Sequence, residues 1–218
     1  KNFDLIDRII RKFRVFFCYY YSTGIIVSSK SVQKDLKKIS KKAVNKSLLI
    51  KHVARVPKYS QLKSLKYLKK KYKINGKFFF LPNHYWKHKN HEVVLKALAS
   101  QTKEQEYQII STGNFSDHRH PSYINNLKKY INNNNLNKEY KILNIIPYID
   151  MMSLMFYSIA LINPSKSEGW SNTVEQGKSM KKKIILSKIN VHLEQKNSNC
   201  IFFNPNNFKN LNKILNRE

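Results

Sequence analysis

Short apolar runs alternate with segments of helical periodicity from residue 78 onward. The apolar runs predict strands at 78–81, 107–110, 141–143, 160–162, 184–186 and 201–203. The segments between and after them predict helices at 90–99, 122–131, 151–157, 172–180 and 208–215. Strands that alternate with helices form parallel sheets with right-handed crossovers. This region therefore predicts an α/β fold, namely a Rossmann-like parallel sheet with helices on both faces.

The beginning of the chain shows the same alternation in a shorter form. The pattern predicts a basic amphipathic helix at 4–20, a short buried strand followed by a polar turn within 24–29, a helix capped by Ser31, and a strand at 48–50. A Lys-rich helix at 61–72 follows. We therefore predict an incomplete second α/β domain at 1–56, a linker or crossover helix at 57–75, and a Rossmann-like domain at 76–218. Because the chain begins with Lys1 rather than Met, we expect a piece of a longer product.

The composition adds a strong positive charge to this picture. Lys and Arg number 41 against 13 Asp and Glu, for a formal net charge of +28. Such an excess is compatible with nucleic acid, an anionic membrane or a phosphorylated substrate. Lys, Asn and Ile are abundant throughout the chain, however, which favours compositional drift on a solvated surface. The aromatic residues fall in apolar strands rather than alternating with Lys, so a nucleic-acid-binding domain is the less favoured alternative.

Cysteine usage and hydropathy indicate where such a protein would work. Cys18 and Cys200 lie far apart, so neither a disulfide framework nor a zinc knuckle is predicted. No signal peptide is visible, and the longest uncharged run, 15–29, is shorter than the roughly 20 residues of a membrane span. We predict a cytoplasmic protein, and peripheral contact with the anionic inner face of the plasma membrane stays open as an addition.

The segment 163–176 holds the most informative motif of the chain. An apolar strand ends at a Pro-Ser turn, and Glu168, Gly169 and the start of a helix follow at once. The first N–H groups of a helix suit a phosphate, and an adjacent carboxylate suits sugar hydroxyls. The segment therefore predicts a sugar-nucleotide site. The alternative is that Ser171 and Glu175 only cap the helix.

Other polar clusters also follow predicted strands. In 82–91, Lys87 and Lys89 are placed to neutralise a diphosphate, while His84, His88 and His91 raise the alternative of a metal site. No Cys or Asp joins these histidines, so we expect them to serve in capping and packing.

Three further strand-end segments carry candidate contacts. In the loop 111–121, Asp117 and Arg119 either contact a ligand or pair with each other. In the turn 144–150, a free backbone edge can bind a nucleobase beside Ile146, and we expect Asp150 to cap the next helix. In 186–195, His192 and Glu194 either line the cleft or bond locally.

Taken together, these motifs resemble a known family. The motifs are Pro82-Asn83, Trp86 to His91, Thr112-Gly113-Asn114, Asp117-x-Arg119-x-Pro121-x-Tyr123, Ile162 to Ser165, Glu168 to Ser171, and Val191-His192-x-Glu194-Gln195. They resemble the nucleotide-sugar-binding half of the bacterial group 1 (family 4) retaining glycosyltransferases, of GT-B type. The resemblance covers about 74–205, and residues 1–55 are similar to the end of the family's acceptor-binding domain.

The resemblance implies a hexosyltransferase. Such an enzyme moves a hexose, with retention, from a nucleotide-diphosphate sugar to a polysaccharide or lipid-linked glycan. Lys89 matches the lysine that meets the diphosphate, and Glu168 matches the acid that contacts the sugar, so both are the catalytic candidates. The resemblance implies further donor diphosphate or sugar contacts at Asn83, Lys87, Gly169, Trp170, Ser171, Asn172 and Thr173. It implies ribose or base contacts at Gln176, Glu175, Ile146 and Pro147.

The resemblance implies neither a metal nor another cofactor, because the helix start and the lysines would neutralise the leaving diphosphate. At the family's second acid this chain carries Gln176, and Lys181 and Lys183 replace an expected Gly and Pro. These departures keep a second hypothesis open, namely a non-catalytic relative that scaffolds a glycan-assembly complex.

Overall fold

The structure, a computed structural model, describes residues 5–101 and 105–217. The chain divides into two compact units, Lys1–His52 and Val53–Glu218. Asp4, with which the first predicted helix begins, lies outside the described residues. Within the described ranges, every helix is too short or too polar to cross a bilayer.

The first unit is a small α/β segment. Its elements are α1 (Leu5–Tyr21), β1 (Ile25–Val27), α2 (Lys30–Ile39), α3 (Lys41–Asn45) and β2 (Ser47–Leu49). The two strands pair in parallel, with Ile26 opposite Leu48. A small core of Val27, Leu36 and Ala43 holds the second and third helices against the strands.

The cap of α2 is Ser29, so the prediction of Ser31 was wrong. Ser29 has an extended backbone, with φ of −149°, and its hydroxyl accepts a hydrogen bond from the Val32 amide at 3.0 Å. Ser31 lies in the first helical turn, where the backbone is already helical. A capping residue must keep non-helical dihedral angles for its side chain to reach the free N–H groups.

The second unit contains the remaining elements in strict alternation. Two short 3₁₀ turns, Tyr59–Gln61 and Lys87–Lys89, interrupt it. Its helices and strands are α4 (Leu65–Tyr72), β3 (Lys77–Pro82), α5 (His91–Ala99), β4 (Tyr107–Thr112), α6 (Tyr123–Asn133), β5 (Tyr140–Leu143), α7 (Tyr148–Tyr157), β6 (Leu161–Asn163), α8 (Asn172–Ser179), β7 (Ile184–Ser187), α9 (Asn190–Glu194), β8 (Cys200–Phe203) and α10 (Phe208–Leu215).

The six strands of this unit form one parallel sheet in the order β5-β4-β3-β6-β7-β8. Phe80, in the middle of β3, lies opposite Ile110 of β4 on one side and Leu161 of β6 on the other. The strand order therefore reverses between β3 and β6. In open parallel sheets such a reversal leaves a crevice beyond the carboxyl ends of the two strands.

The apolar residues of β3 alternate between the two faces of the sheet. Phe79 and Leu81 pack into one core together with α5, α6 and α10, whereas Phe78 and Phe80 pack into a second core with α4, α7 and α8. Helices therefore cover both faces. The predicted fold class, a Rossmann-like parallel sheet with helices on both faces, is confirmed.

Three helices differ from the sequence-based prediction. The predicted helix 61–72 is limited to α4, because the Ser64 hydroxyl caps it by accepting from the Tyr67 amide at 3.3 Å. A five-residue helix, α9, occupies part of the region predicted as a loop. Helix α7 begins at Tyr148 rather than Met151, which places Asp150 inside its first turn.

The expectation that Asp150 caps α7 was therefore wrong. Its buried carboxylate accepts hydrogen bonds from Lys71 Nζ and from the Tyr72 hydroxyl, both at 2.6 Å. Burial by itself would raise the pKa of Asp150, but these two donors lower it below its usual value. The residue ties α7 to α4.

Candidate functional site

A groove of about 360 Å³ lies beyond the carboxyl ends of the central strands. Pro82 and Asn83 at the end of β3, Thr112 and Gly113 at the end of β4, and Glu168 after β6 contribute to its walls. The groove therefore occupies the place where the strand order reverses, which is where sheets of this topology bind ligands.

Lys89 and Glu168 meet inside this groove. Lys89 ends the 3₁₀ turn that follows β3, and Glu168 lies in the loop that follows β6. Lys89 Nζ lies 2.6 Å from Glu168 Oε1, and the two side chains are only 14% and 8% exposed. The pair presents one cation and one carboxylate at the same wall. The cation suits an anionic ligand, and the carboxylate oxygens suit hydroxyl donors.

The structure brings most of the predicted site residues to this groove. Those that line it are Asn83, Ile146, Lys89, Glu168, Trp170, Ser171, Asn172, Thr173 and Gln176. Gly169 is not itself part of the lining, but it lies between two residues that are.

Lys87, Glu175 and Pro147 lie elsewhere. Lys87 lines a separate cavity. Pro147 is the residue that precedes α7, with its backbone at the helix start. The Glu175 carboxylate is buried and accepts hydrogen bonds from Lys178 Nζ at 3.0 Å and from Gln195 Nε2 at 2.8 Å. Of the neighbouring pair Glu175 and Gln176, only the amide therefore faces the groove.

The amino terminus of α8 opens into the groove. The preceding residue, Ser171, makes no capping hydrogen bond to the helix. Its hydroxyl instead accepts from Asn163 Nδ2 at 2.8 Å, and its backbone N–H donates to Gln195 Oε1 at 3.2 Å. Ser171 and Glu175 therefore do not form the capping arrangement considered as an alternative. The first N–H groups of α8 carry partial positive charge beside Asn172 and Thr173.

Asn163 joins the segments beneath the groove. It belongs to two of the motifs found in the sequence, neither of which assigned it a role. It is fully buried at the end of β6. Its Oδ1 accepts from Asn83 Nδ2 at 3.2 Å and from the Ser165 hydroxyl at 2.8 Å, while its Nδ2 donates to Ser171. One amide thus joins the ends of β3 and β6 to α8. The available signal was a polar residue closing an otherwise apolar strand.

Gly113 allows the loops after β3 and β4 to approach closely. Its φ is +156°, and a Cβ atom at this position would lie 2.5 Å from the Asn83 carbonyl oxygen. Nearby, His84 Nδ1 accepts from the Asn114 amide at 3.0 Å. Burial, and then the charge of Lys89, lower the pKa of His84, so the ring is neutral and can accept this bond.

The three histidines of the first cluster serve different structural purposes. His91 is fully buried, with Nδ1 2.9 Å from the Tyr140 hydroxyl and Nε2 3.2 Å from the His84 carbonyl oxygen. His88 lies beside Arg119, 3.5 Å from its guanidinium. Among residues 5–101 and 105–217, no three His, Cys, Asp or Glu side chains are grouped to hold a metal ion. These contacts fit the expected packing role but not the expected capping role, because the residue that precedes α5 is Asn90.

Asp117 and Arg119 pair with each other, which was one of the two alternatives for this loop. Asp117 Oδ1 lies 3.3 Å from Arg119 Nε and accepts from the Arg119 amide at 3.1 Å, while Oδ2 accepts from the Lys87 amide. Burial would raise the pKa of Asp117, but these donors lower it. The carboxylate therefore joins the loop after β4 to the turn after β3.

His192 and Glu194 belong to α9. The buried His192 ring hydrogen-bonds locally, with Nδ1 2.9 Å from the Ser187 carbonyl oxygen. Burial lowers the pKa of His192. Neither residue is part of the groove lining.

Several solved structures share this architecture. The Anabaena protein HepE, solved with UDP and glucose, superposes with a TM-score of 0.82 at 16% identity over 94% of this chain and 56% of its own. A glycosyltransferase from Rickettsia africae gives a TM-score of 0.76 at 22% identity over 93% of this chain and 55% of its own. Sucrose-phosphate synthase from Thermosynechococcus elongatus gives 0.78 at 13% identity over 98% of this chain and 52% of its own.

These likenesses establish the fold, which is that of GT-B glycosyltransferases. The chain spans about half the length of the solved structures it matches. No protein-family model matches the chain, and a comparison with curated proteins also finds no match.

Proposed function

We propose that this chain binds a nucleotide-diphosphate sugar and serves as the donor-binding half of a glycosyltransferase. The observation that carries the proposal is the pairing of Lys89 with Glu168 in the groove where the strand order reverses. The start of α8 borders the same groove. The cation and the helix start suit a diphosphate, and the carboxylate suits the hydroxyls of a sugar.

Each group has a chemical task in this proposal. Lys89 and the first N–H groups of α8 hold the diphosphate and stabilise the charge that develops on it as the sugar leaves. Glu168 accepts hydrogen bonds from the sugar hydroxyls once the diphosphate has engaged Lys89. Gln176 and Ile146, at the other positions predicted for the nucleoside, contact the ribose and the base. No step in this scheme uses a metal ion.

The proposal also covers the sugar that is transferred and the acceptor that receives it. The structures with this fold include one that holds UDP and glucose, which favours UDP-hexose as the donor. We infer a hexosyl transfer, with retention, to a polysaccharide or lipid-linked glycan. A lipid-linked acceptor would bring the protein to the cytoplasmic face of the membrane, where a net charge of +28 favours anionic lipid.

Calorimetric titration with UDP and UDP-glucose tests the donor site. We expect saturable binding by the parent chain and a loss of about 10-fold or more in affinity for Lys89→Met, because a charge-assisted hydrogen bond to phosphate is removed. Glu168→Gln should lose mainly the added affinity of UDP-glucose over UDP.

Lys96→Met is the matched control, since Lys96 pairs with Glu92 at 2.7 Å outside the groove. If neither nucleotide binds the parent chain, or if Lys89→Met and Lys96→Met bind equally well, the proposed function is wrong. NMR of the anomeric configuration of a transferred sugar tests retention.

A further inference from the structure

Gln195 is a buried residue that holds the first turn of α8 from another segment of the chain. It follows α9, which lies between β7 and β8, and its side chain is fully buried. It lies outside the groove lining, whereas the residues at the start of α8 belong to that lining. The proposed donor site assigns no role to this residue.

Three hydrogen bonds tie the Gln195 amide to the first turn of α8. Its Oε1 accepts from the Ser171 backbone N–H at 3.2 Å, and its Nε2 donates to the Ser171 carbonyl oxygen at 3.0 Å. The same Nε2 donates to Glu175 Oε1 at 2.8 Å. One side chain therefore holds both backbone groups of the residue that precedes α8. Buried polar networks that are fully paired make a structure rigid.

Ser171 is held a second time through its hydroxyl. That hydroxyl accepts from Asn163 Nδ2 at 2.8 Å and makes no capping hydrogen bond to α8. A capping side chain usually satisfies and fixes the first N–H groups of a helix. Here two buried amides, from the end of β6 and from the segment after β7, fix the cap residue instead. The first turn of α8 is therefore held in place while the Ser171 side chain leaves its N–H groups uncovered, beside Asn172 and Thr173 at the groove.

The role of Gln195 can be separated from that of Glu175. The Glu175 carboxylate also accepts from Lys178 Nζ at 3.0 Å, so it keeps a charged partner when the Gln195 amide is removed. Loss of this amide therefore frees mainly the Ser171 backbone, where the helix starts. The direction of α8 as a whole is less affected.

We propose that Gln195 is a positioning residue for the diphosphate. It acts through Ser171, whose backbone it fixes so that the first N–H groups of α8 are presented to the groove. The favourable effect of a helix start on an anion falls off within the first turn, so a small displacement of this turn weakens it. The inference rests on the proposed function, because it presupposes a nucleotide diphosphate at the start of α8.

Calorimetric titration with UDP, together with NMR of the backbone amides, tests this role. Gln195→Met keeps the length of the side chain and removes all of its hydrogen bonds to α8. We expect the affinity for UDP to fall about 5-fold or more, because the helix start no longer holds the diphosphate in place. At saturating UDP, the amide signals of Asn172 and Thr173 should shift less than in the parent chain. The amide signal of Ile146, at the position proposed for the base, should shift as in the parent.

Gln108→Met is the matched control. Gln108 is also a buried glutamine that holds backbone groups, since its Oε1 accepts from the Asn75 amide at 2.8 Å and its Nε2 donates to the Lys138 carbonyl at 2.6 Å. It lies near the start of β4, at the end of the sheet opposite to the groove. Gln108→Met should lose thermal stability to a similar extent but keep the UDP affinity of the parent.

A second variant, Gln195→Asn, keeps a buried amide but is too short to reach both Ser171 and Glu175. It should show the same loss of UDP affinity in reduced form. The proposed role is overturned if the Gln195 and Gln108 variants bind UDP equally well, or if affinity falls while the Asn172 and Thr173 signals match those of the parent. It is also overturned if neither Gln195 variant folds while Gln108→Met does, because Gln195 is then a structural residue.

The same titrations distinguish this inference from the proposed function. A parent chain that does not bind UDP overturns the proposed function, and the role of Gln195 with it. A parent chain whose UDP affinity falls in Lys89→Met but not in Gln195→Met keeps the donor site and overturns only the role of Gln195.

Discussion

Lys89 and Glu168 are joined by an ion pair of 2.6 Å although 79 residues separate them in the chain. The strands that precede them in the chain, β3 and β6, are neighbours in the sheet. Each side chain neutralises the charge of the other. Under the proposed function, a diphosphate would compete with Glu168 for the ammonium group of Lys89 and so make the carboxylate more available to a sugar.

This pairing predicts a measurable coupling in the ligand-free protein. Lys89→Met or Glu168→Gln should each lower the free energy of unfolding by about 1.5–3 kcal/mol, because the remaining group is largely buried and loses a charged partner. The double variant should lose less free energy of unfolding than the two single variants lose together. Urea denaturation of the parent, the two single variants and the double variant measures this coupling.

The Glu92 and Lys96 pair provides the control cycle. It has the same chemistry on an exposed helical face, where we expect a coupling of about 0.3–0.5 kcal/mol. Equal coupling in the two cycles would contradict the special position of Lys89 and Glu168.

Gly113→Ala should damage the groove specifically. The added methyl group would lie 2.5 Å from the Asn83 carbonyl oxygen, which belongs to backbone and cannot rotate away. We expect a loss of about 1–3 kcal/mol in the free energy of unfolding, together with weaker nucleotide binding as the two loops separate. Gly24→Ala is the control, because its methyl group would meet only the Lys46 carbonyl, at 3.8 Å. Thermal unfolding and UDP titration of both variants decide the matter.

The sequence predicted the sheet well because its strands are short and mainly apolar, and the central strands β3, β6 and β7 are almost entirely buried. The prediction of 78–81 became β3, Lys77–Pro82, and that of 141–143 became β5, Tyr140–Leu143. The predicted strand ends were less accurate where polar residues continue a strand. Ser111 extends β4 beyond the apolar run because its hydroxyl lies 2.7 Å from that of the buried Tyr85, a partner that only the folded chain supplies.

Within the site, the direction in which individual side chains extend was harder to predict from the sequence. Lys87 and Lys89 are equivalent in the sequence, yet they line different cavities. Successive residues of a 3₁₀ turn differ by about 120° around its axis. Lys87 and Lys89, two positions apart, therefore extend from different sides of the turn. Glu175 and Gln176 likewise differ by about 100° on α8, which buries the acid and exposes the amide.

Gln176→Glu should strengthen nucleotide binding if the groove holds a ribose. A carboxylate at this position accepts hydrogen bonds from both hydroxyls of a diol, and charged acceptors form stronger bonds than neutral ones. We expect the affinity for UDP to rise about 3- to 10-fold in calorimetric titration.

Glu175→Gln is the informative comparison, because it removes the buried partner of Lys178. It should lower thermal stability and have little effect on UDP affinity. If Glu175→Gln changes UDP affinity as Gln176→Glu does and leaves thermal stability unchanged, the orientation of α8 described above is wrong.

The buried His91 should make the protein sensitive to mild acid. Its Nε2–H donates to the His84 carbonyl, which can only accept, so Nδ1 must accept from the Tyr140 hydroxyl. Burial lowers the pKa of His91 to about 4, below the ordinary value of about 6.5. Between these two values the unfolded chain binds a proton that the folded protein excludes. The free energy of unfolding should therefore fall with decreasing pH, by about 1.4 kcal/mol per pH unit and about 3 kcal/mol in all.

Urea denaturation between pH 7 and pH 4 measures this dependence. His91→Gln, which cannot titrate, should be less stable at pH 7 but should lose less stability on acidification than the parent. Part of the slope will persist, because burial also lowers the pKa of His84, His88 and His192. His118→Gln, at an exposed loop position, should keep the slope of the parent. If His91→Gln and His118→Gln show the same pH dependence, His91 is not the residue that makes folding acid-sensitive.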